Sequence, residues 1–406
     1  MKRFSASSIA QPFTGLLVLL ISLLAFSPNS MAKMPRGSIG FDAAYFPDNA
    51  LFADQHSDSL QASAFGSLDW SADITRDIRF DLSGYFHFAP QAHDTIFGDL
   101  REAIFRARVN TFDIKAGVLL ENWKVLEAWS PVDLVNQKDT AEDYQGNVKL
   151  GQPGISVQTF YSDLVLSALI LPYNRERRVA EGKDRLRTLP APILDSTFEN
   201  GQSDTSFALR IQYRLGDLDL ALSQFWGHSR EPVYLAVIEQ SLLIGFNEYY
   251  EDIAQTGLEI QYVLGDTVLK TEFINQTGGG DNFTGGGIGS ETTFNRITNG
   301  FDAITVYLEG YYDSRNELTT LTPFQKDIYA GFRYNLNDVS DSLVDLRFTH
   351  DLEFHSNLID VKASRRLGSS QIISAQCILP LSVRSDTALN GFQQDKQIKF
   401  SWTLYL

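Results

Sequence analysis

The sequence predicts an all-β chain closed into one antiparallel transmembrane barrel, with about 18 strands and about 16 as the alternative count. Three observations carry this reading. Apolar residues recur at every second position along nearly the whole chain, short and long connections alternate strictly, and the alternation runs to the final residues, QIKFSWTLYL at 397–406. Free chain ends ordinarily fray. In lipid, however, every backbone N–H and C=O needs a partner within the protein, so a sheet crosses a membrane only by closing on itself. A last strand that must pair with the first has to keep its pattern to the end.

The elements follow in chain order. Lys2 and Arg3 precede an apolar run from Gly15 to Phe26, and Ser30-Met31-Ala32 supplies a small-x-small cleavage signal before Lys33. Residues 1–32 therefore read as a secretory signal peptide, cut near Ala32, whose apolar run is too short to span a bilayer as a helix. Residues 33–406 are left as the barrel. In FALRIQYRL, Phe207, Leu209, Ile211, Tyr213 and Leu215 share one face while Ala208, Arg210, Gln212 and Arg214 share the other. The pattern resumes at Leu218 across Gly216-Asp217, a short hairpin signal. GLEIQYVLGDTVLKTEF and DIYAGFRYNLND repeat the arrangement.

Strands are expected near 38–46, 60–72, 78–88, 102–110, 113–120, 154–161, 164–171, 206–215, 218–226, 256–264, 267–275, 291–298, 303–312, 327–337, 342–350, 357–367, 371–380 and 396–406. Tight links, such as 111–112, 216–217 and 265–266, alternate with long ones at 47–59, 89–101, 121–153, 172–205, 227–255, 276–290, 313–326, 351–356 and 381–395. Short turns on one side and long loops on the other are the habit of bacterial outer-membrane barrels, which puts both termini at the periplasmic end and the protein in the cell outer membrane.

Composition narrows the partners. A formal net charge of −16 argues against nucleic acid and against an anionic membrane surface. The single cysteine, Cys377, excludes an internal disulfide framework and a CxxC metal site, and is expected as a small packed residue. At 43% hydrophobic and 12% aromatic, the chain is too apolar for a disordered secreted protein. Nearly every residue is assigned to strand or barrel loop, which leaves no separate plug domain of the kind that barrels of about 22 strands carry for import of scarce metal complexes.

Charged residues on the polar parity include Arg79, Asp81, Glu102, Arg106, Arg108, Lys115, Arg210, Arg214, Glu259, Lys270, Glu272, Glu309, Arg333, Asp345, Arg347, Asp360 and Lys362. Arg or Lys facing lipid near the midplane costs about 2–4 kcal/mol, so parity must turn them inward to a wet lumen. Arg106, Arg108, Arg210, Arg333 and Arg347 are the candidate lumen arginines. Loop 121–153, with Trp123, Trp129, Asp133, Asn136 and Asp139, is expected to fold inward and constrict the barrel. Trp129 would pack on the wall, with Asp133 and Asp139 meeting Arg106 or Arg210; the alternative is a surface Ω-loop. YNRERRVAEGKDRLR at 173–187 places Arg175, Arg177, Arg178, Arg185 and Arg187 as a basic cluster at the mouth. It would capture anionic solutes or contact lipopolysaccharide phosphates, or form a plain solvated loop. TGGGDNFTGGGIG at 277–289 lacks the Lys-Ser or Lys-Thr ending of a phosphate loop and reads as a mobile loop.

No enzyme emerges. GHSREP sets His228 beside Ser229, but no Gly-x-Ser-x-Gly elbow exists and neighbours on a strand point to opposite faces. His350 and His355 are spaced by five across a strand end, which gives no metal geometry. No catalytic residue, metal ligand or cofactor is assigned.

ENWKVLEAWSPVDLVNQKDTAEDYQGNVKLGQPGISV, with Trp129, Asp133, Asn136, Asp139, the acidic pair at 142–143 and Leu150-Gly151-Gln152-Pro153, resembles a porin-like outer-membrane β-barrel family of Gram-negative bacteria. LPYNRERR (171–178), HSREP (228–232), EGYYDSRN (309–316), DIYAGFRYNLND (327–338) and RRLG (365–368) extend the resemblance over most of the chain. Members usually carry Trp-Gly where Trp129-Ser130 stands here, and Pro-Met where Pro153-Gly154 stands. The resemblance implies an outer-membrane barrel and supplies neither a substrate nor catalytic residues.

The expected function is passive diffusion of small hydrophilic or anionic solutes. The alternatives are a loop-plugged barrel that passes a hydrophobic or amphipathic ligand or partners an export system, and a non-conducting structural or adhesion barrel. Expected partners are outer-membrane lipid and lipopolysaccharide, the barrel-assembly machinery through strand 396–406, and a small solute.

Overall fold

The computed structural model describes residues 31–280, 282–298, 300–315 and 324–406. The signal peptide expected over 1–32 lies outside the described residues except for Met31–Ala32. In chain order the strands are β1 (Met31–Ala32), β2 (Arg36–Tyr45), β3 (Leu60–Asp73), β4 (Ile78–Phe88), β5 (Ile96–Val109), β6 (Phe112–Leu119), β7 (Gln152–Tyr161), β8 (Leu164–Leu171), β9 (Ile193–Phe198), β10 (Ser206–Leu215) and β11 (Leu218–His228). They continue with β12 (Val233–Glu239), β13 (Leu242–Tyr250), β14 (Asp252–Leu264), β15 (Thr267–Gly278), β16 (Phe283–Asn295), β17 (Ala303–Asp313), β18 (Asp327–Asn335), β19 (Leu343–Asp351), β20 (Asn357–Leu367), β21 (Gln371–Leu381) and β22 (Gln397–Tyr405).

Eighteen of these described strands form the barrel: β2 to β8, β10, β11 and β14 to β22, each antiparallel to the next. β22 closes on β2, with Ile39 opposite Leu404 and Phe41 opposite Trp402. The Phe41 and Trp402 rings stack across this seam at 6.0 Å. β1 is a two-residue stub beside β3.

The parity is as the periodicity predicts. Along β10, Phe207, Leu209, Ile211 and Tyr213 are exposed on the outside while Ala208 is fully buried. Ile39, Phe41, Leu68, Phe86, Ile155, Leu222, Phe273, Leu308, Leu346 and Phe400 extend the same apolar exterior around the cylinder. A water-soluble protein rarely exposes such a continuous apolar surface, whereas hydrocarbon wets it at no cost.

Two long connections hold more than loop. β9, β12 and β13 form a small mixed sheet, with β13 antiparallel to β12 and parallel to β9. The sequences VYLAVIE and LLIGFNEYY are rich in β-branched and aromatic residues, and Gln240 and Ser241 both take positive φ, as a tight hairpin turn requires. The glycine-rich stretch read as a mobile loop is also corrected. Most of it is β16, paired with β15 from Phe283 and with β17 from Gly285, because its glycines leave room for side chains that enter the lumen.

Candidate constriction and its supports

After Leu119 the chain leaves the wall and runs into the barrel before rejoining it at Gln152. An irregular segment cannot pair its own N–H groups, and here two wall carboxylates do so. Glu272 on β15 accepts hydrogen bonds from the N–H of Val125 (2.7 Å) and Leu126 (2.9 Å) and from Ser130 Oγ (2.8 Å). Glu309 on β17 accepts from the N–H of Glu127 (2.7 Å) and Ala128 (3.0 Å), and Tyr311 Oη accepts from that of Trp129 (3.2 Å). Five consecutive backbone donors are thereby satisfied from the wall, with charge-assisted bonds for four of them. Ser130 adds its own side-chain donor to Glu272.

Apolar side chains hold the same segment. Leu126 and Trp129 pack with Tyr307, Tyr311 and Tyr329, and Trp129 stacks on Phe324 at 6.1 Å. Trp123 and Val135 pack with Leu169, Leu171, Ala208, Phe225 and Ile253, and Val132 with Ile274 and Phe283. Close approach needs bare backbone opposite. A Cβ at Gly287 would come within 2.8 Å of Leu126 Cδ1 and 2.6 Å of Tyr311, so no larger residue fits while the segment is inside. Asn136 joins the ends of the excursion, donating to the carbonyls of Leu119 (2.8 Å) and Leu150 (2.9 Å) and accepting from the N–H of Glu121 (2.8 Å).

A second set of supports comes from the long-loop side. Arg230, buried against Phe225, donates Nε to the Leu134 carbonyl (3.0 Å), Nη2 to the Val135 carbonyl (3.2 Å) and Nη1 to Asn174 Oδ1 (3.1 Å). Beside it, Glu231 pairs with Arg315 (2.7 Å), which also binds Asp313 (2.7 Å). Burial pushes the Glu231 carboxyl up, but Arg315, Arg177 and Lys138 more than offset this and hold it down at about 2. Thus HSREP, LPYNRERR and EGYYDSRN, remote in sequence, meet around the inward segment.

The candidate lumen arginines fall in different places. Arg106 pairs with Asp81 (2.7 Å), and Arg108 is exposed by the tight turn after β5. Arg210 pairs with Glu259 and lies 5.4 Å from the Trp123 ring centroid. Arg333 binds Asp345 (2.9 Å), Tyr307 Oη (2.8 Å) and Glu127 (3.3 Å); Arg347 binds Asp345 (3.2 Å) and Gln145 (3.1 Å). The expected pairing of Asp133 and Asp139 with Arg106 or Arg210 is therefore wrong. Asp133 pairs with Lys149 of its own loop, and Asp139 with Arg178 (2.8 Å), because these cations lie nearer along the folded loops.

The arginines read as a basic mouth are mostly neutralised. Arg175 pairs with Asp99 (2.8 Å), Arg178 with Asp139 (2.8 Å), Arg185 with Asp395 (2.8 Å) and Arg187 with Asp54 (2.7 Å), while the backbone N–H of Arg177 donates to Tyr250 Oη (2.8 Å). Arg185 also lies over Phe46 and Arg187 over Phe52. They staple loop 172–205 to its neighbours. Sequence alone could not locate the acids, which sit far along the chain.

Between the two limbs of the inward segment lies a cavity of about 480 Å³ lined by Arg101, Lys124, Trp129, Asp133, Lys138 and Lys149 among others. Arg101 is paired with Glu142 and Lys149 with Asp133, and Lys124 binds Asn147. Lys138, which also borders a smaller hollow beside Arg230 and Arg315, has no hydrogen bond or ion pair at its ammonium among the described residues.

With this geometry the chain superimposes over 94% of its length on a BenF-like porin from Pseudomonas fluorescens Pf-5, covering 99% of that chain at TM-score 0.54 and 12% identity. Its fold is that of an outer-membrane porin. Pseudomonas aeruginosa OccK2 (OpdF) in complex with glucuronate matches at TM-score 0.54 and 12% identity, over 92% of this chain and 98% of that one. P. aeruginosa OpdK with vanillate matches at TM-score 0.51 and 13% identity, over the same shares. No family model and no curated protein matches the chain. The closed barrel with its continuous apolar exterior shares the architecture of those porins and presents the kind of surface that meets lipid hydrocarbon.

Proposed function

We propose that this barrel is a passive channel for small anionic hydrophilic solutes, narrowed by the segment over 121–153. The observation that carries the reading is the cavity beside that segment, where the Lys138 ammonium has no hydrogen bond or ion pair among the described residues and Lys124 is held only by Asn147, in an otherwise acidic protein. The glucuronate and vanillate bound in the structures of two similar porins are both organic anions, which favours the same class here. Neutral and anionic solutes would pass between the inward segment and the charged wall, sorted by sign. The C-terminal strand would serve as the handle for barrel assembly.

Planar-bilayer recordings of the purified protein test this. Anions should permeate better than cations, and Lys138→Glu should lower the anion-to-cation permeability ratio at least about fivefold, since even one unit charge at 4 Å is worth about 1 kcal/mol in water. Removing residues 122–148 should raise conductance severalfold. A wild-type protein that never conducts would instead support a sealed or plugged barrel, and unchanged conductance in the deletion would return the segment to a surface role.

A further inference from the structure

We propose that Asp204, His228 and Asp252 form a binding site for one divalent transition-metal cation, of which Zn²⁺ is the best fit, at the rim of the barrel on its long-loop side. Three adjacent wall strands bring the residues together. Asp204 lies two residues before β10 begins, His228 ends β11 and Asp252 opens β14. His228 and Asp252 are direct register partners across the β11–β14 ladder. The donors thus hang on hydrogen-bonded strand ends, where geometry is better fixed than on free loops.

The distances suit a metal. One donor atom from each residue lies within 4.8 Å of the other two, and His228 Nε2 is 3.1 Å from Asp252 Oδ1. With metal–ligand bonds of about 2.0–2.2 Å, neighbouring donors should stand about 2.9–3.4 Å apart in octahedral or tetrahedral coordination. One imidazole with oxygen donors suits zinc and its neighbours in the series better than calcium or magnesium.

A second observation points to a cation here. His228 is wholly buried, and Asp252 Oδ1 is shut off from solvent without receiving a hydrogen bond, although its neighbour Nε2 is so close. A proton on Nε2 is taken by the Glu199 carbonyl, which leaves Oδ1 uncompensated. One cation on Nε2 would satisfy Oδ1 and the Asp204 carboxylate together. The surroundings hold the donors in place: Asn200 Nδ2 binds the other Asp252 oxygen (2.5 Å), Glu199 Oε2 takes the Asp252 N–H (2.9 Å), and Phe198 sets its edge against the imidazole at 5.3 Å. Asp204 is exposed and gives the ion a way in.

Such an ion would tie the exit of loop 172–205 to both ends of loop 227–255, two residues from the Arg230 that grips the inward segment. The site is invisible to spacing, because its ligands are 24 residues apart on separate strands.

The test uses the full-length barrel purified without a polyhistidine tag, stripped with chelator and titrated calorimetrically with Zn²⁺. One ion per chain should bind, Asp204→Asn and His228→Gln should each weaken binding at least about tenfold while keeping the folded barrel's gel mobility, and crystals should show a zinc anomalous peak between the three side chains. Should His228→Gln fail to fold, Asp204→Asn decides, because that residue is exposed. Absence of saturable binding, affinity unchanged in the folded variants, or a peak elsewhere would overturn the site.

Discussion

Glu231 shows how one side chain can set the acid limit of the structure. Its carboxyl is held down at about 2 against an ordinary value of 4.5, because Arg315, Arg177 and Lys138 outweigh the burial that pushes it up. The folded protein therefore binds this proton less readily than the unfolded chain does. Its contribution is complete above about pH 4.5 and is lost as pH falls towards 2, and it amounts to about 3 kcal/mol at most. Glu231→Gln should lower the thermal midpoint at neutral pH, read by the fluorescence of the buried tryptophans Trp123 and Trp129. The gap to wild type should close as both are taken below about pH 3. A gap that stays constant with pH would show that the carboxyl is not the group holding the loops there.

The inward segment is the element on which the proposed passage depends, and its attachment is concentrated in few groups. Glu272 alone receives two backbone N–H groups and a hydroxyl. Glu272→Ala would strand those donors at about 1–3 kcal/mol each, whereas β15 would keep its ladders to β14 and β16. The expected outcome is an intact barrel whose segment becomes sensitive to protease and whose conductance turns noisy or rises. Protease resistance equal to wild type would mean the apolar contacts hold the segment unaided. The strands themselves were legible because alternation is a local property: each of the eighteen barrel strands overlaps an expected one, although β5 starts at Ile96 where 102 was expected and β16 spans Phe283–Asn295 where 291–298 was expected. The partners of the inward segment were not. The polar parity marks Glu272 and Glu309 as inward, but nothing in sequence says that they face backbone donors, nor that Asp133 prefers Lys149 over an arginine of the wall. The glycines of β16 misled for a related reason, since without a view of Leu126 an open run of glycine looks like slack chain rather than clearance. The sheet of β9, β12 and β13 was hidden because everything between barrel strands was counted as connection.

At the scale of the whole molecule, closure is the feature from which the rest follows. β22 is hydrogen-bonded on both edges, to β21 and to β2, and its register with β2 runs from Ser38 opposite Tyr405 to Tyr45 opposite Ile398. Removing residues 397–406 would leave two facing strand edges in hydrocarbon, where each unsatisfied backbone group costs several kcal/mol. No local rearrangement of a cylinder this size repairs that. The truncated protein should therefore be missing from outer-membrane fractions and should lose the heat-dependent gel shift of a folded barrel. A graded version separates the seam from the strand's role as an assembly handle. Phe400 is exposed on the lipid side while its partners Ala43 and Ala375 keep the ladder unchanged, so Phe400→Arg should leave pairing possible yet cost about 2–4 kcal/mol if the position lies near the midplane. Measured in urea-driven unfolding in lipid vesicles, a loss of that size would show that this face meets hydrocarbon. Stability equal to wild type both here and for Leu222→Arg and Phe273→Arg, on other strands of the same exterior, would overturn the orientation of the wall.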